Sequence, residues 1–234
     1  GWARDMEYKG QIEVIPNAVN VAHFSQEYSE EELNKLKKEL GKKEYEKYII
    51  TTSRLVHKNA VDNVIVALTY LPENVKFIIL GIGPDEEKLK ILAKEKGVEN
   101  RVMFIGQVDH SDLPKYLKIS DVFTRPSRSE GMGNSFVEAM ATGLPVVATQ
   151  EGGISDFLFD RERNPDKEPT GIAVDVDNSR DLARGLKSAL EDKELLNIII
   201  PNAQKMARKK YDWDLIVRDM KTKVFDKVLK QGTI

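Results

Sequence analysis

Short runs of apolar residues alternate with amphipathic segments along most of this chain, and this alternation limits the folds that it can adopt. A short apolar run suits a strand buried on both faces, while apolar residues three and four positions apart suit a helix. Strands that alternate with helices form a parallel sheet covered by helices on both sides. We therefore predict an α/β fold, a doubly wound Rossmann-like parallel sheet, with ligand-binding residues just after its strands.

The predicted elements follow from apolar spacing and from turn residues. The predicted strands cover residues 11–15, 48–53, 75–80, 102–105, 121–124, 145–149 and 171–175. The predicted helices cover residues 60–71, 85–96, 111–119, 135–142, 180–190, 193–209 and 213–229. A further helix is expected to begin at Ser29, because Ser29 and Glu32 have the spacing of a capping box, and to end at Gly41.

The composition excludes several classes of protein. Of the 234 residues, 41% are apolar and 32% are charged, which is typical of a globular domain in water. The formal net charge of -2 provides no basic field, so we expect no nucleic-acid partner. The sequence has no cysteine for disulfides or thiolate catalysis, and no apolar run of the roughly 20 residues that a transmembrane segment needs.

The polar start of the chain, residues 1–10, leads at once into the first predicted strand. It has no hydrophobic core of a signal peptide. We expect that a preceding segment belongs to the protein. We also expect a cytoplasmic location, with the full-length protein able to lie peripherally at the inner face of the membrane.

Two cations, Arg54 and Lys58, follow the predicted strand 48–53 and precede a helix. A helix start attracts anions through its free N–H groups, and Arg and Lys beside it would complete a phosphate site. The alternative is that both side chains are solvated loop cations. Taken alone, the sequence favours that alternative for Lys58 and is evenly divided for Arg54, while His57 is interpreted as a bystander.

A second cluster runs from the end of the predicted strand 121–124 through a two-glycine turn into a helix. Gly131 and Gly133 allow backbone N–H groups to approach a ligand closely. Glu130 lies in the loop and Glu138 lies eight residues on, in the predicted first turn of the helix. Two carboxylates so placed could accept hydrogen bonds from the hydroxyls of a nucleotide sugar. Ser135 and Glu138 also have capping-box spacing, and for Glu138 taken alone we favour the alternative that it only ties down the helix start.

Two other patterns are interpreted structurally. Gly81 and Gly83 lack the third glycine of a dinucleotide-binding motif, and they follow the second strand of the unit rather than the first. We read them as a tight turn near the ligand. Asp175 and Asp177 resemble an acidic metal-binding pair, but turn and cap chemistry explains them better, and we predict no metal site.

The residues TRPSRSEGMGNSFVEAMATGLPVVATQEGGISDFL closely resemble the signature of the group 1 glycosyltransferases, family 4, which have the GT-B fold. Its centre is the pair of glutamates eight residues apart. The upstream segments SRLVHKNAVDN, IEVIPNAVN and FIGQVDHSDLPKYLKISDVFTRPS are similar to other segments of that family, so the resemblance runs from about Ile12 to about Trp213.

The resemblance implies that residues 1–234 are the C-terminal half of a GT-B fold, the domain that binds the nucleotide-sugar donor. An N-terminal domain that binds the acceptor would then be absent from this chain. Such enzymes retain the anomeric configuration and require no metal and no cofactor. The implied partners are a nucleotide sugar, with a UDP-sugar expected, and a glycan or lipid-linked acceptor. The fragment alone is expected to be inactive.

The resemblance also implies roles for individual residues. Arg54 and Lys58 neutralise the donor diphosphate, Glu130 contacts the transferred sugar, and Glu138 holds the ribose hydroxyls. The implied catalytic residues are Arg54, Lys58 and Glu130. The implied donor-binding residues are Arg54, Lys58, Gly83, Val108, Glu130, Gly131, Met132, Gly133, Asn134, Ser135 and Glu138. The turn at Gln107 and Val108 lies where the family contacts the base.

The sequence departs from the family pattern at two places. The family's phosphate-binding lysine usually stands directly before a glycine, and an ungapped alignment puts Asn59 and Ala60 there. Lys58 would then act from one position earlier. Ala18 and Asn20 stand where the family usually has Gly and Asp.

Two further functions stay open at this point. A GT-B nucleotide-sugar epimerase would convert its donor without an acceptor. A non-catalytic nucleotide-sugar-binding module would work with a separate chain.

Overall fold

The computed structural model describes residues 5–10 and 12–231, and there the chain forms a six-stranded parallel sheet. The strands are β1 (Lys47–Thr52), β2 (Val75–Leu80), β3 (Val102–Gly106), β4 (Val122–Thr124), β5 (Val146–Ala148) and β6 (Ile172–Ala173). Their order across the sheet is β3-β2-β1-β4-β5-β6. The order reverses between β1 and β4, where Ile49 pairs with Val122 and Ile50 with Phe123. Ligand sites of doubly wound sheets lie at such a reversal, beyond the carboxyl ends of the strands.

Helices cover both faces of the sheet. They are α1 (Val21–Ser25), α2 (Glu30–Glu39), α3 (Val61–Ala67), α4 (Glu86–Glu95), α5 (Leu113–Lys118), α6 (Asn134–Thr142), α7 (Ser179–Glu191), α8 (Lys193–Lys210), α9 (Trp213–Met220) and α10 (Asp226–Gln231). Short 3₁₀ turns occupy His57–Asn59, Leu68–Tyr70, Glu99–Arg101 and Gly152–Asp156. In the part of the chain that the structure describes, none of the helices combines the length and apolar character of a membrane span.

The core lies on both sides of the sheet because consecutive residues of a strand face opposite ways. Tyr48 and Ile50 of β1 pack on one side with Phe136 of α6, whereas Ile49 packs on the other side with Ile65 of α3. All five side chains are fully buried. Burying a large apolar side chain contributes about 1.5–3 kcal/mol, so the unbroken apolar runs of the central strands stabilise both layers.

The predicted capping box opens α2. The backbone N–H of Glu32 donates to Ser29 Oγ at 3.2 Å, and the N–H of Ser29 donates to Glu32 Oε2 at 3.0 Å. Gly41, just past the end of α2, has a φ of +67°, which explains a glycine there.

Two predicted elements are wrong in part. Gln11 lies outside the described residues, and residues 12–15 form no strand because Val14 is 86% exposed and has no sheet to pack against. The chain instead pairs further on, where Val19 bridges Asp212. The predicted helix 213–229 is interrupted, since a π-helical turn at Lys221–Phe225 joins α9 to α10.

Candidate functional site

The loops after β1 and β4 meet at the reversal of strand order. The backbone N–H of Arg128, in the loop after β4, donates to the carbonyl oxygen of Lys58 at 2.8 Å. The two clusters predicted from sequence are therefore neighbours at the carboxyl edge of the sheet, although 72 residues separate Lys58 from Glu130. This edge is the candidate site.

Arg54 and Lys58 are both exposed at this edge. Neither side chain makes a hydrogen bond or ion pair with any other described residue, in contrast to the neighbouring Arg128. Two unpaired cations beside a short 3₁₀ turn provide positive charge that the protein itself does not neutralise. Such charge can pair with an anionic ligand.

The neighbouring pair Asn59 and Ala60 supports the ungapped alignment with the family motif. Ala60 has a left-handed φ of +53°, a backbone conformation that favours the glycine usual in the family at this place. Asn59 then occupies the lysine position, but its side chain is only 4% exposed. Its Nδ2 donates to the carbonyl oxygen of Arg54 at 2.7 Å. Asn59 thus shapes the turn that carries Arg54, and the phosphate role of Lys58 stays a prediction.

Gly83 has a packing role at this edge. A Cβ there would stand 2.2 Å from the carbonyl oxygen of Leu55, because the turn after β2 crosses directly over the loop after β1. The N–H of Leu55 also donates to the carbonyl oxygen of Ile82 at 3.0 Å. Close backbone contact therefore explains the glycine, and contact of Gly83 with a ligand stays a prediction.

Glu130 is held by two partners. Its Oε2 accepts a hydrogen bond from Nη2 of Arg125 in a buried ion pair, and its Oε1 accepts from the N–H of Gly131 at 2.9 Å. The loop also rests on the Gly152–Asp156 turn, where a Cβ on Gly153 would come within 1.7 Å of the carbonyl oxygen of Gly131. Gly131 itself is exposed and would have open space around a Cβ.

The start of α6 differs from the predicted capping box. Gly133, with a φ of +69°, is the residue before the helix, and no side chain caps the first turn. Ser135 is already inside the helix, so it cannot cap, and Glu138 lies in the second turn rather than the first. Met132 is half-buried against the core. Asn134 Nδ2 donates to the carbonyl oxygen of Ala18 at 3.3 Å, which fastens the segment before α1 to the start of α6.

Buried polar atoms without a hydrogen-bond partner are concentrated at this edge of the sheet. Among the described residues, six of the nine such atoms belong to the two loops or the first turn of α6: Ser53 Oγ, Asn59 Oδ1, Arg125 Nε, Ser127 Oγ, Asn134 Oδ1 and Ser135 Oγ. Buried polar groups are nearly always paired with protein, water or ligand. Their concentration here shows that the hydrogen-bonding capacity of this edge is only partly used by the described residues.

Glu138 projects from α6 with only 13% of its side chain exposed. Burial raises the pKa of this carboxyl above its ordinary value, and the nearby His110 and Arg125 oppose that shift. His110 Nε2 lies 3.5 Å from Glu138 Oε1. His23 of α1 stacks on His110 with ring centroids 5.5 Å apart. Neither histidine could be selected from the sequence, because the contact of His110 with Glu138 and that of His23 with His110 join segments far apart in the chain.

Asn20, where the family usually has Asp, has a structural role. Its side chain accepts a hydrogen bond of 3.0 Å from the N–H of His23 and so caps α1. Asn and Asp serve equally well at such a position, which makes the departure from the family pattern conservative.

Val108 lines a cavity of about 490 Å³ together with Gln107 and residues of α2 such as Leu36. A cavity of about 520 Å³ lies on the other side of the loop after β1, lined by His57 and by Leu89 of α4, and it contains none of the predicted site residues. Arg54 and Glu130 line neither of these two cavities, and Val108 lies in a hollow near α2, so neither cavity brings the predicted site residues together.

Arg128 and Arg163 account for the two aspartates that resemble a metal pair, Asp177 and Asp175. Arg128 donates from Nη2 to Asp62 Oδ2 and from Nε to Asp177 Oδ1, both at 2.7 Å. Asp175 pairs with Arg163 at 2.8 Å. The N-cap of α7 is Asn178, the residue after Asp177, and its side chain accepts a hydrogen bond from the N–H of Asp181. Asp175 and Asp177 thus serve different arginines, and the absence of a metal from the reaction stays a prediction.

A parallel sheet whose strand order reverses between β1 and β4, with helices on both faces, defines a doubly wound, Rossmann-like α/β domain. The chain belongs to the group 1 glycosyl transferases, since the model of that family matches residues 32–206. The resemblance noted in the sequence is thereby confirmed.

Two curated relatives illustrate the family. The chain is 32% identical over 211 residues to an uncharacterised glycosyltransferase of Methanocaldococcus jannaschii, covering 89% of this chain and 52% of the relative. It is 24% identical over 231 residues to the alpha-monoglucosyldiacylglycerol synthase of Acholeplasma laidlawii, covering 97% of this chain and 56% of the relative. The chain therefore spans about half the length of these relatives.

A solved structure confirms the fold. The crystal structure of Anabaena HepE in complex with UDP and glucose superposes with a TM-score of 0.82 at 25% identity, covering 94% of this chain and 59% of HepE. The predicted fold class, a Rossmann-like sheet that forms half of a GT-B protein, is correct.

Proposed function

We propose that this chain is the donor-binding domain of a retaining glycosyltransferase that moves a sugar from a UDP-sugar to a glycan or lipid-linked acceptor. The observation that carries the proposal is the backbone hydrogen bond from Arg128 to Lys58, which joins the loop of Arg54 and Lys58 to the loop of Glu130. The HepE structures, which contain UDP or UDP-glucose, support UDP as the nucleotide. The Acholeplasma relative, named for a glucosylated diacylglycerol, supports a lipid-linked acceptor.

The charges of the site suit departure of a nucleoside diphosphate. Breaking the bond between sugar and phosphate leaves negative charge on the diphosphate and positive character on the sugar ring. Arg54 and Lys58 would stabilise the diphosphate, while Glu130 would accept hydrogen bonds from sugar hydroxyls. Glu138 would hold the ribose. Because these groups supply the charge, the proposed reaction needs no metal.

The acceptor is proposed to bind to a separate N-terminal domain, which the curated relatives have room for in their other half. A lipid-linked acceptor would bring the whole protein from the cytoplasm to the inner face of the membrane. Sequencing the gene upstream of Gly1 tests this point. A reading frame that encodes one more domain of ordinary size supports it, and a stop codon immediately upstream contradicts it.

A thermal-shift panel tests the proposed donor site. The chain is melted with UDP, GDP, ADP and their sugars, each with and without EDTA. A ligand that binds only the folded chain raises the melting temperature, so UDP and a UDP-sugar should raise it, with EDTA having no effect. The matched variant Arg54→Ala should lose most of the shift. A melting temperature unchanged by every nucleotide would sink the proposal.

A further inference from the structure

Arg125 lies directly after β4, and its side chain turns back beneath the loop that carries Glu130. Only 9% of its side chain is exposed. A guanidinium so deeply buried must be paired to offset the loss of water, and Nη2 of Arg125 meets that need by donating to Glu130 Oε2. Neither the alternation of elements nor the two-glycine motif pointed to this arginine.

Two contacts besides the pair with Glu130 hold the guanidinium in place. Its central carbon lies over the ring of Phe136, 4.4 Å from the ring centroid, at the distance of a cation–π contact. A Cβ on Gly133 would stand 2.6 Å from Nη2, so the two-glycine turn passes directly over the guanidinium. Phe136 is fully buried in α6 and cannot move easily. Arg125 therefore links a rigid helix to the loop above it.

Both acids of the motif lie within the field of Arg125. The charges of Glu130 and Glu138 both oppose the fall in the pKa of Arg125 that burial causes. One carboxylate oxygen of Glu130 accepts a hydrogen bond from Arg125, and the other accepts one from the N–H of Gly131, so both oxygens are held in place. Each carboxylate oxygen has two lone pairs, so Glu130 can accept further hydrogen bonds while it stays paired.

We infer that Arg125 is a positioning residue for the sugar of the donor: it holds Glu130 and the Gly131–Gly133 backbone in the arrangement that receives the sugar hydroxyls. The inference rests on the proposed function. Replacing Arg125 should therefore weaken binding of the sugar part of the donor. It should leave binding of the diphosphate unchanged, because the cations of the other loop are proposed to bind that part.

Calorimetry separates the two parts of the donor. The affinities of UDP and UDP-glucose, and of GDP and GDP-mannose, are measured for the wild-type chain, for Arg125→Met, and for the exposed control Arg208→Met on α8. Arg125→Met should weaken binding of the preferred nucleotide sugar about tenfold, the equivalent of one charge-assisted hydrogen bond. Binding of the free nucleotide should change by less than about twofold. Arg125→Lys, which keeps the charge but not the planar fork, should fall between wild type and Arg125→Met.

The Glu130→Gln background tests the route of the effect and covers the case in which Arg125→Met does not fold. If Arg125 acts through Glu130, Arg125→Lys has little further effect on sugar affinity once Glu130→Gln is present. Equal losses for nucleotide and nucleotide sugar would show a purely structural arginine and overturn the inference. So would a nucleotide sugar that binds wild type no tighter than its nucleotide. A wild-type chain that binds none of the four ligands contradicts the proposed function instead.

Discussion

The backbone N–H of Arg128 donates a 2.8 Å hydrogen bond to the carbonyl oxygen of Lys58, and this contact joins the two loops of the candidate site. The side chain of Arg128 adds further contacts with the loop after β1 and with α3. It reaches the carbonyl oxygen of His57 at 2.6 Å and forms a two-pronged ion pair with Asp62. Arg128 thus connects the loop after β4 to the loop after β1 and to the start of α3 through its backbone and its side chain.

Arg128→Met should lower the free energy of unfolding by about 2 kcal/mol, because it leaves Asp62 and the carbonyl oxygen of His57 without their partner in a half-buried setting. Urea denaturation measures the change. The matched control is Arg184→Met, whose ion pair with Asp181 spans one turn of α7 and whose side chain is 58% exposed. Arg184→Met should lower the free energy of unfolding by less than about 1 kcal/mol. Equal losses in both variants would contradict a special role for Arg128 in joining the loops.

Two glycines of the candidate site should respond in opposite ways to the same added methyl group. Gly153→Ala should destabilise the chain by about 1–3 kcal/mol, since its Cβ would overlap the carbonyl oxygen of Gly131. Gly131→Ala meets nothing within 4 Å and should leave the melting temperature unchanged. It should nevertheless weaken binding of UDP-glucose, because the methyl group would fill the space proposed for the sugar. Wild-type affinity in Gly131→Ala would show that this backbone does not approach the donor.

Glu138 should make the chain less stable as the pH rises. Burial raises the pKa of this carboxyl in the folded chain above its ordinary value of 4.5. Between these two pKa values the folded state holds more protons than the unfolded state, so stability falls as the pH increases. Glu138→Gln removes the penalty and should be more stable than wild type at pH 7, with an advantage that shrinks towards pH 4.

Denaturation of wild type and Glu138→Gln at a series of pH values measures this difference. Glu194→Gln, at an exposed position on α8, is the control and should run parallel to wild type. A Glu138→Gln chain that is less stable than wild type at pH 7 would mean that the pair with His110 outweighs the cost of burial.

The sheet could be predicted from sequence because its signals are local. The prediction of a strand over residues 75–80 is confirmed by β2 (Val75–Leu80), since an apolar run of six residues that ends at a Gly-Pro turn is too short for a typical buried helix and suits a buried strand. Ser29 and Glu32 form the predicted capping box because Ser29 has extended backbone angles. Ser135 and Glu138 have the same spacing but no cap, because the left-handed Gly133 starts the helix earlier.

The candidate site could be predicted only in part, for a physical reason. Arg54, Glu130 and Glu138 could be selected by residue type and by their place after strands. Arg125 and His110 could not, because their contacts depend on which loops the folded sheet brings together. Asn59 illustrates the same limit, since only the structure shows its amide turned inward to the carbonyl oxygen of Arg54.

The most direct test of the donor site is calorimetry of UDP with wild type, Arg54→Ala and the exposed control Arg208→Ala. A charge-assisted hydrogen bond contributes about 1.5–3 kcal/mol, so Arg54→Ala should bind UDP roughly tenfold to a hundredfold more weakly than wild type and the control. If UDP binds Arg54→Ala as tightly as it binds wild type, the loop after β1 does not hold the diphosphate and the account is wrong.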